Sequence, residues 1–291
     1  MDASERRVTV VGDDDRTAEL RRVIGGIAGT AADAPPPATT AVDPSESDDA
    51  ALVVAVGREA LRGVVAAAPS GTVIPVGEGR LALDDDRAKQ FLRRAVDAND
   101  DGTAIHSSAP SDAGSPPPDA DDDLAAAFAS TDGVCCVSHP VLAVNGASSS
   151  RRAALDVAFV TDAPARISEF AVGFASGTDA MFRADGVAIA TPLGSDGYAN
   201  AAGAPIVEPG GGLAVVPIAP FRTQTDSWIA AAELTVTVER ESEPVALIVD
   251  GVKLGLVDPN RPIAIEAVDQ VDLAVSTPRA ERDDRKHSNN S

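Results

Sequence analysis

The hydrophobic periodicity of this chain changes once, near residue 130, and that change limits its architecture more than any single motif does. Over roughly the first hundred residues, short apolar runs alternate with helix-like stretches. Arg7–Val11 reads as a strand, and Thr17–Ile24 as a helix capped by Thr17 and stopped at Gly25-Gly26. Ala51–Val56 is a continuous apolar run of the kind that parallel sheets bury on both faces. Arg58–Ala67 reads as the helix after it, and Val73–Val76 as a third strand. Arg87–Ala98 is amphipathic, with Phe91, Leu92 and Ala95 on one face. This alternation predicts an α/β sheet. From Val134 onward the apolar pieces are short and separated by Gly, Pro and Asp. Val141–Val144, Ala154–Val160, Arg166–Phe174, Val187–Thr191, Leu213–Val216, Leu234–Val238 and Val245–Val249 predict a β-rich second domain.

The expected division is an α/β domain over 1–124 and a β-rich domain over 125–278. A mobile Ser-, Pro- and Asp-rich linker is expected between them at about 100–123, and a frayed polar tail is expected over 279–291. Ala31–Asp49 is expected to be a loose loop.

Charge narrows the function classes. The formal net charge is −21, and three lysines stand against twenty-one arginines. Acidic clusters at Asp13–Asp15, Asp84–Asp86 and Asp121–Asp123 are spread along the chain. That distribution suits a halophilic surface, because at ~1 M salt a Debye length of ~3 Å screens the self-repulsion. Its sign disfavours nucleic acid and anionic membranes as partners. No apolar run approaches a membrane span, and no charged-then-apolar leader is visible, so a cytoplasmic location is expected. Cys135 and Cys136 are adjacent; a disulfide between neighbours is strained, and two thiols without further ligands make a poor metal site. They are expected to be reduced thiols at a strand start, and no metal site is expected from the side chains.

The segment Asp185–Tyr198 (DGVAIATPLGSDGY) carries the chemistry. A buried strand over Val187–Thr191 runs into a Thr-Pro turn and a Gly/Ser loop with no bulky side chain before Tyr198. Such a loop lets backbone amides approach a ligand, and Tyr198 offers an aromatic face to a flat heterocycle. A nucleotide is the natural guest. Asp185, Gly186, Thr191, Pro192, Gly194, Ser195, Tyr198, Gly203 and Pro205 resemble the DG–TP–GS–Y–G–P signature of the NAD kinase family. Leu193, Asp196 and Gly197 depart from it, and Asp196 puts a carboxylate where a neutral residue is usual. The apolar strand His139–Asn145 is similar to the family strand that ends in Asn plus an acid. Asn145 fits the pattern, and Gly146 replaces the acid. His139 is expected to be a partly exposed strand-start residue, and Val249-Asp250-Gly251 an ordinary hairpin turn.

The resemblance implies an α+β two-domain fold, a Rossmann-like α/β domain followed by an all-β domain. It implies phosphoryl transfer from ATP or another donor, with Mg²⁺, to the adenosine ribose 2′-hydroxyl of NAD. Asn145, Asp185, Thr191, Ser195 and Tyr198 would hold the NAD(H) or NADP(H), and a homo-oligomer is implied. One family element is altered. The GGDGT loop, whose amides cradle phosphate and whose Asp acts as base, corresponds to Val56-Gly57-Arg58-Glu59-Ala60-Leu61 here. Gly57 remains for the phosphates, and Glu59 or Arg58 is left for the chemistry. The alternative is a catalytically impaired NAD(P)-binding regulatory homologue.

Overall fold

Three parallel strands organise the first part of the chain. In the computed structural model these are β1 (Val8–Val11), β2 (Leu52–Val56) and β3 (Thr72–Val76), in register at Val8↔Leu52 and Val53↔Val73. The described residues are 8–12, 15–25, 52–77, 79–97, 133–146, 150–163, 166–222, 226–241 and 243–276. The expected loop at 31–49, linker at about 100–123 and tail at 279–291 lie outside them, as does the Ala95 side chain.

Every residue of β2 and β3 is buried, which explains why both read as unbroken apolar runs. Helices α1 (Asp15–Gly25) and α3 (Asp85–Asp97) cover one face, with Leu20, Ile24, Phe91 and Leu92 on Val8, Val54 and Ile74. Helix α2 (Arg58–Ala67) covers the other, with Leu61, Val64 and Val65 on Val53, Ala55 and Val73. The expected cap of α1 is corrected. The helix already begins at Asp15, whose carboxylate suits the positive helix end, so Thr17 is a buried residue of the first turn.

The second part is a β-sandwich built from β4 (Val134–Asn145), β5 (Arg151–Ala153), β6 (Asp156–Thr161), β7 (Ser168–Phe174), β8 (Asp179–Ala184) and β9 (Gly186–Ala190). It continues with the short helix α4 (Tyr198–Ala201), then β10 (Leu213–Ile218), β11 (Trp228–Ala230), β12 (Glu233–Arg240), β13 (Val245–Val249), β14 (Val252–Leu256) and β15 (Ile263–Ser276). One antiparallel sheet has the order β11-β10-β9-β6-β13-β14. The other runs β1-β2-β3-β15-β12-β7-β8, with β4 alongside β15 and β5 alongside β4. Val and Leu side chains from both sheets, with Phe159 and Phe170, fill the core between them. The fold is thus α+β, with an α/β N-terminal part and an all-β C-terminal part.

Strand β15 joins the two parts. Its first half pairs with β12 at Ile263–Glu266, and its second half pairs in parallel with β3 at Leu273↔Val73. Strand β4 runs beside it throughout, from Val134↔Ser276 to Asn145↔Ala264. Neither β15 nor β8 is expected from local pattern, because acids interrupt β15, and β8 is short, opens on Asp179 and carries Arg183. Glu266, Asp269 and Asp272 fall on exposed or half-exposed positions of β15, and β8 is a sheet edge with an exposed polar face. A second expectation is also corrected. His139 is 2% exposed and lies inside the twelve-residue β4, because that strand starts at Val134 and places His139 at its centre.

Candidate functional site

The loop after β2 and the loop after β9 meet. Gly57 has φ 84°, a left-handed conformation that glycine adopts without penalty, and its N–H bonds the Val76 carbonyl at 2.9 Å. Helix α2 starts at Arg58, whose side chain is exposed and directed across to the β domain. A Cβ at Gly197 would lie 3.0 Å from Arg58 Nη2, so the guanidinium rests against the backbone of the β9–α4 loop. Arg80, in the loop before α3, forms the second bridge. Its backbone N–H donates to Asp196 Oδ2 at 3.3 Å, and its guanidinium donates to Glu208 Oε1 at 2.8 Å and the Val207 carbonyl at 2.9 Å. The Asp196 carboxylate therefore has a donor from the first part of the chain. These contacts set Gly57, Arg58 and Arg80 against the loop that ends at Tyr198, with Asp156 near Arg58, and this junction is the candidate cleft.

Hydroxyls inside the loop hold its shape. Thr191 Oγ1 donates to the Ala154 and Leu155 carbonyls at 2.9 and 3.0 Å and accepts the Gly194 N–H at 3.3 Å. Ser195 Oγ donates to the Pro192 carbonyl at 2.9 Å and accepts the Val207 N–H at 3.0 Å. Both residues are fully buried, so these hydroxyls shape the loop from beneath. Tyr198, the first residue of α4, is 46% exposed and follows directly on Gly197, the residue against which Arg58 rests.

Beneath the loop lies a polar knot that the sequence reading treats as a plain turn. Asp250, 8% exposed, accepts backbone N–H groups from Leu155 and Asp156 on Oδ1 at 2.7 and 3.1 Å and from Ala154 on Oδ2 at 2.9 Å. Arg62 Nη1 donates to the Asp250 carbonyl at 2.7 Å, tying α2 to this turn. His139 Nε2 donates to the Ala154 carbonyl at 3.0 Å, the oxygen that Thr191 also uses. Burial pulls His139 down to a pKa of about 4, against a small opposing effect of that hydrogen bond, and the ring is neutral at pH 7. Asp156 is displaced upward by burial and by the Asp250 charge, with Arg58 acting in the opposite sense.

The sequence-derived residues divide into two groups. Gly57, Arg58 and the loop bearing Tyr198 meet at the junction, whereas Thr191 and Ser195, expected to hold the ligand, are fully buried and spend their hydroxyls on backbone groups that shape the loop. Glu59 is close in sequence, yet its side chain is 91% exposed and 3.8 Å from Arg62. Asn145 does not join them. From His139 to Asn145 the strand advances about 20 Å at ~3.3 Å per residue, and Asn145 Nδ2 donates to Glu266 Oε1 at 2.7 Å. Beside it, Gly146 lines a separate cavity of about 210 Å³. Asp185 precedes β9, at the opposite end of that strand from the loop, again about 20 Å away. Asp156, Asp250, Arg62 and Arg80 are the residues that sequence reasoning misses. Their only signals are an acid at the head of an apolar strand, an Asp-Gly turn and two surface arginines.

Residues 156–275 match the family model of the ATP-NAD kinase C-terminal domain. Among solved structures, an NAD kinase from Archaeoglobus fulgidus in complex with ATP shares the fold with a TM-score of 0.60 at 19% identity, over 92% of each chain. Yeast NADH kinase complexed with NADH does so with a TM-score of 0.66 at 15% identity, over 94% of this chain and 84% of that one. Curated protein sequences yield no match. The chain thus matches the ATP-NAD kinase C-terminal domain model over 156–275 and shares the α+β fold of solved NAD kinases, the family that its sequence motifs resemble.

Proposed function

We propose that this chain binds NAD(H) in the cleft between α2 and the β9–α4 loop. It transfers a phosphoryl group from ATP, or another phosphate donor, to the adenosine ribose 2′-hydroxyl. The observation that carries this reading is the seating of Arg58 against Gly197, which brings the altered loop after β2 and the Gly/Ser loop, far apart in sequence, against each other. Gly57 stands at the start of α2, where backbone N–H groups face a donor phosphate. Tyr198 supports the base. Phosphoryl transfer depends mainly on positioning and charge neutralisation, so an altered loop is compatible with it. Among the described residues, no cluster of three or more His, Cys, Asp or Glu could hold a metal. Mg²⁺ would be held chiefly by the donor phosphates, as this cation commonly is. A homo-oligomer in the cytoplasm, with a surface suited to high salt, completes the reading.

One observation favours a second reading, a regulatory NAD(P)-binding homologue without kinase activity. Arg58 occupies the position of the base in the family loop, and the neighbouring Glu59 side chain faces solvent beside Arg62. Calorimetry of NAD binding in ~3 M salt, followed by an assay of NADP formation with ATP and Mg²⁺, separates the two. Binding with turnover is expected. Binding without turnover establishes the regulatory reading, and no nucleotide binding removes both.

A further inference from the structure

Most carboxylates around the cleft are already committed. Glu208 pairs with Arg80 at 2.8 Å, and Asp196 accepts the Arg80 N–H at 3.3 Å. Asp250 gives both oxygens to backbone N–H groups, and Glu59 projects into solvent beside Arg62. Asp156 differs from all of these. It is half-buried, and among the described residues its carboxylate makes no hydrogen bond or ion pair. Its oxygens are not sealed off from solvent either. Half-buried and unpaired among the described residues, this carboxylate is available to a ligand at the junction with Arg58.

Its place in the sheet suits that role. Asp156 heads β6 and pairs with Ala190, the last residue of β9 before the loop. Strand alternation puts Asp156 on the same face as Ala158, the face covered by α4 and the loop. The charged groups that face it are Arg58 from α2 and Asp250 from the β13–β14 turn. Asp250 is fixed by three N–H donors, so its charge raises the proton affinity of Asp156 without competing for the cleft. A shielded carboxylate with a raised proton affinity is a better proton acceptor near neutrality than a solvated one.

We infer that Asp156 is the general base of the transfer, in place of the acid missing from the loop after β2. This rests on the phosphotransferase reading above. The ribose 2′-hydroxyl gives its proton to an Asp156 carboxylate oxygen as O2′ forms a bond to the γ-phosphorus of a nucleoside triphosphate. The bond from that phosphorus to the β–γ bridging oxygen breaks, and the nucleoside diphosphate leaves with the electron pair. Asp156 then loses the proton to solvent.

The test uses the full chain in high salt, with NAD affinity by calorimetry and NADP formation from ATP between pH 5 and 9. Asp156→Asn is expected to keep NAD affinity within threefold while kcat falls about 10²–10³-fold, and to lose the acidic limb of the wild-type pH profile. Asp156→Glu, which keeps an acid, is expected to retain that limb. Glu239→Gln, on the exposed end of β12, is the control for a lost surface charge and is expected to match wild type. Loss of NAD binding in step with turnover in Asp156→Asn, with the acidic limb unchanged, makes the residue merely structural and overturns the inference. An unaltered kcat in Asp156→Asn alongside an active wild type overturns it while leaving the phosphotransferase reading intact. A wild type that binds NAD but makes no NADP overturns both. If Asp156→Asn does not fold, Asp156→Glu decides alone, and loss of its acidic limb sinks the idea.

Discussion

At the scale of single residues, His139 ties the fold to pH. The ring is sealed in β4 with Nε2 donating to the Ala154 carbonyl, and its pKa falls from 6.5 to about 4. Above pH 6.5 the ring is neutral in both folded and unfolded chains and costs nothing. Between pH 6.5 and about 4 the unfolded chain takes up a proton that the native chain refuses, so stability is lost as pH falls through that window. The full effect is about 3 kcal/mol. His139→Gln keeps an N–H donor and does not titrate. Denaturant unfolding at pH 7.5 and 4.5 is expected to show the wild type losing about 2–3 kcal/mol more than the variant. Equal losses would mean that the ring is not buried neutral. Taking the difference between the two proteins matters, because Asp156, displaced upward, contributes with the opposite sign.

At the scale of elements, the β9–α4 loop is held by fit as much as by hydrogen bonds. A Cβ at Gly194 would stand 2.2 Å from the Leu155 carbonyl oxygen, which is backbone and has no room to yield. Gly194→Ala therefore lifts the loop from Leu155 and strains the Thr191 and Ser195 bonds beneath it. The expected cost is about 1–3 kcal/mol of stability and a tenfold or larger loss of NAD affinity, read by denaturation and calorimetry. A variant with wild-type affinity would show that this loop does not form the ligand wall. The glycine requirement is legible in the sequence as part of the Gly-Ser pattern. The partner that imposes it, Leu155, is not, because only the pairing of β6 with β9 brings the two together.

The largest scale is governed by charge and by one strand. At a net charge of −21 with acids spread throughout, self-repulsion opposes the compact state unless salt screens it. Near-UV circular dichroism is expected to fade as salt is diluted from ~3 M to ~0.1 M, and an unchanged spectrum would refute a halophilic surface. Strand β15 holds the two halves together, burying Val271, Leu273 and Val275 against the first part and Ile263 and Ile265 in the sandwich. The division at residue 124 that composition suggests remains a proposal, and this strand crosses it from the far end of the chain.

The sequence by itself determined the class of fold, the limits of α2 and β13, the small-residue loop before Tyr198 and the altered loop after β2. Each of these is local: hydrophobic period, turn chemistry and motif spacing are read within a dozen residues. Only the tertiary structure decided which of the chosen residues share a cleft. Asn145 and Asp185 lie in plausible motifs, yet the register of β4 against β15 and the direction of β9 carry each of them to a strand end remote from Arg58. Asp156 and Asp250 look unremarkable in the chain and become neighbours because the head of β6, the β13–β14 turn and the start of α2 are packed onto one another. A pKa, a free carboxylate and a cleft wall are properties of neighbours in space, and sheet register sets those neighbours.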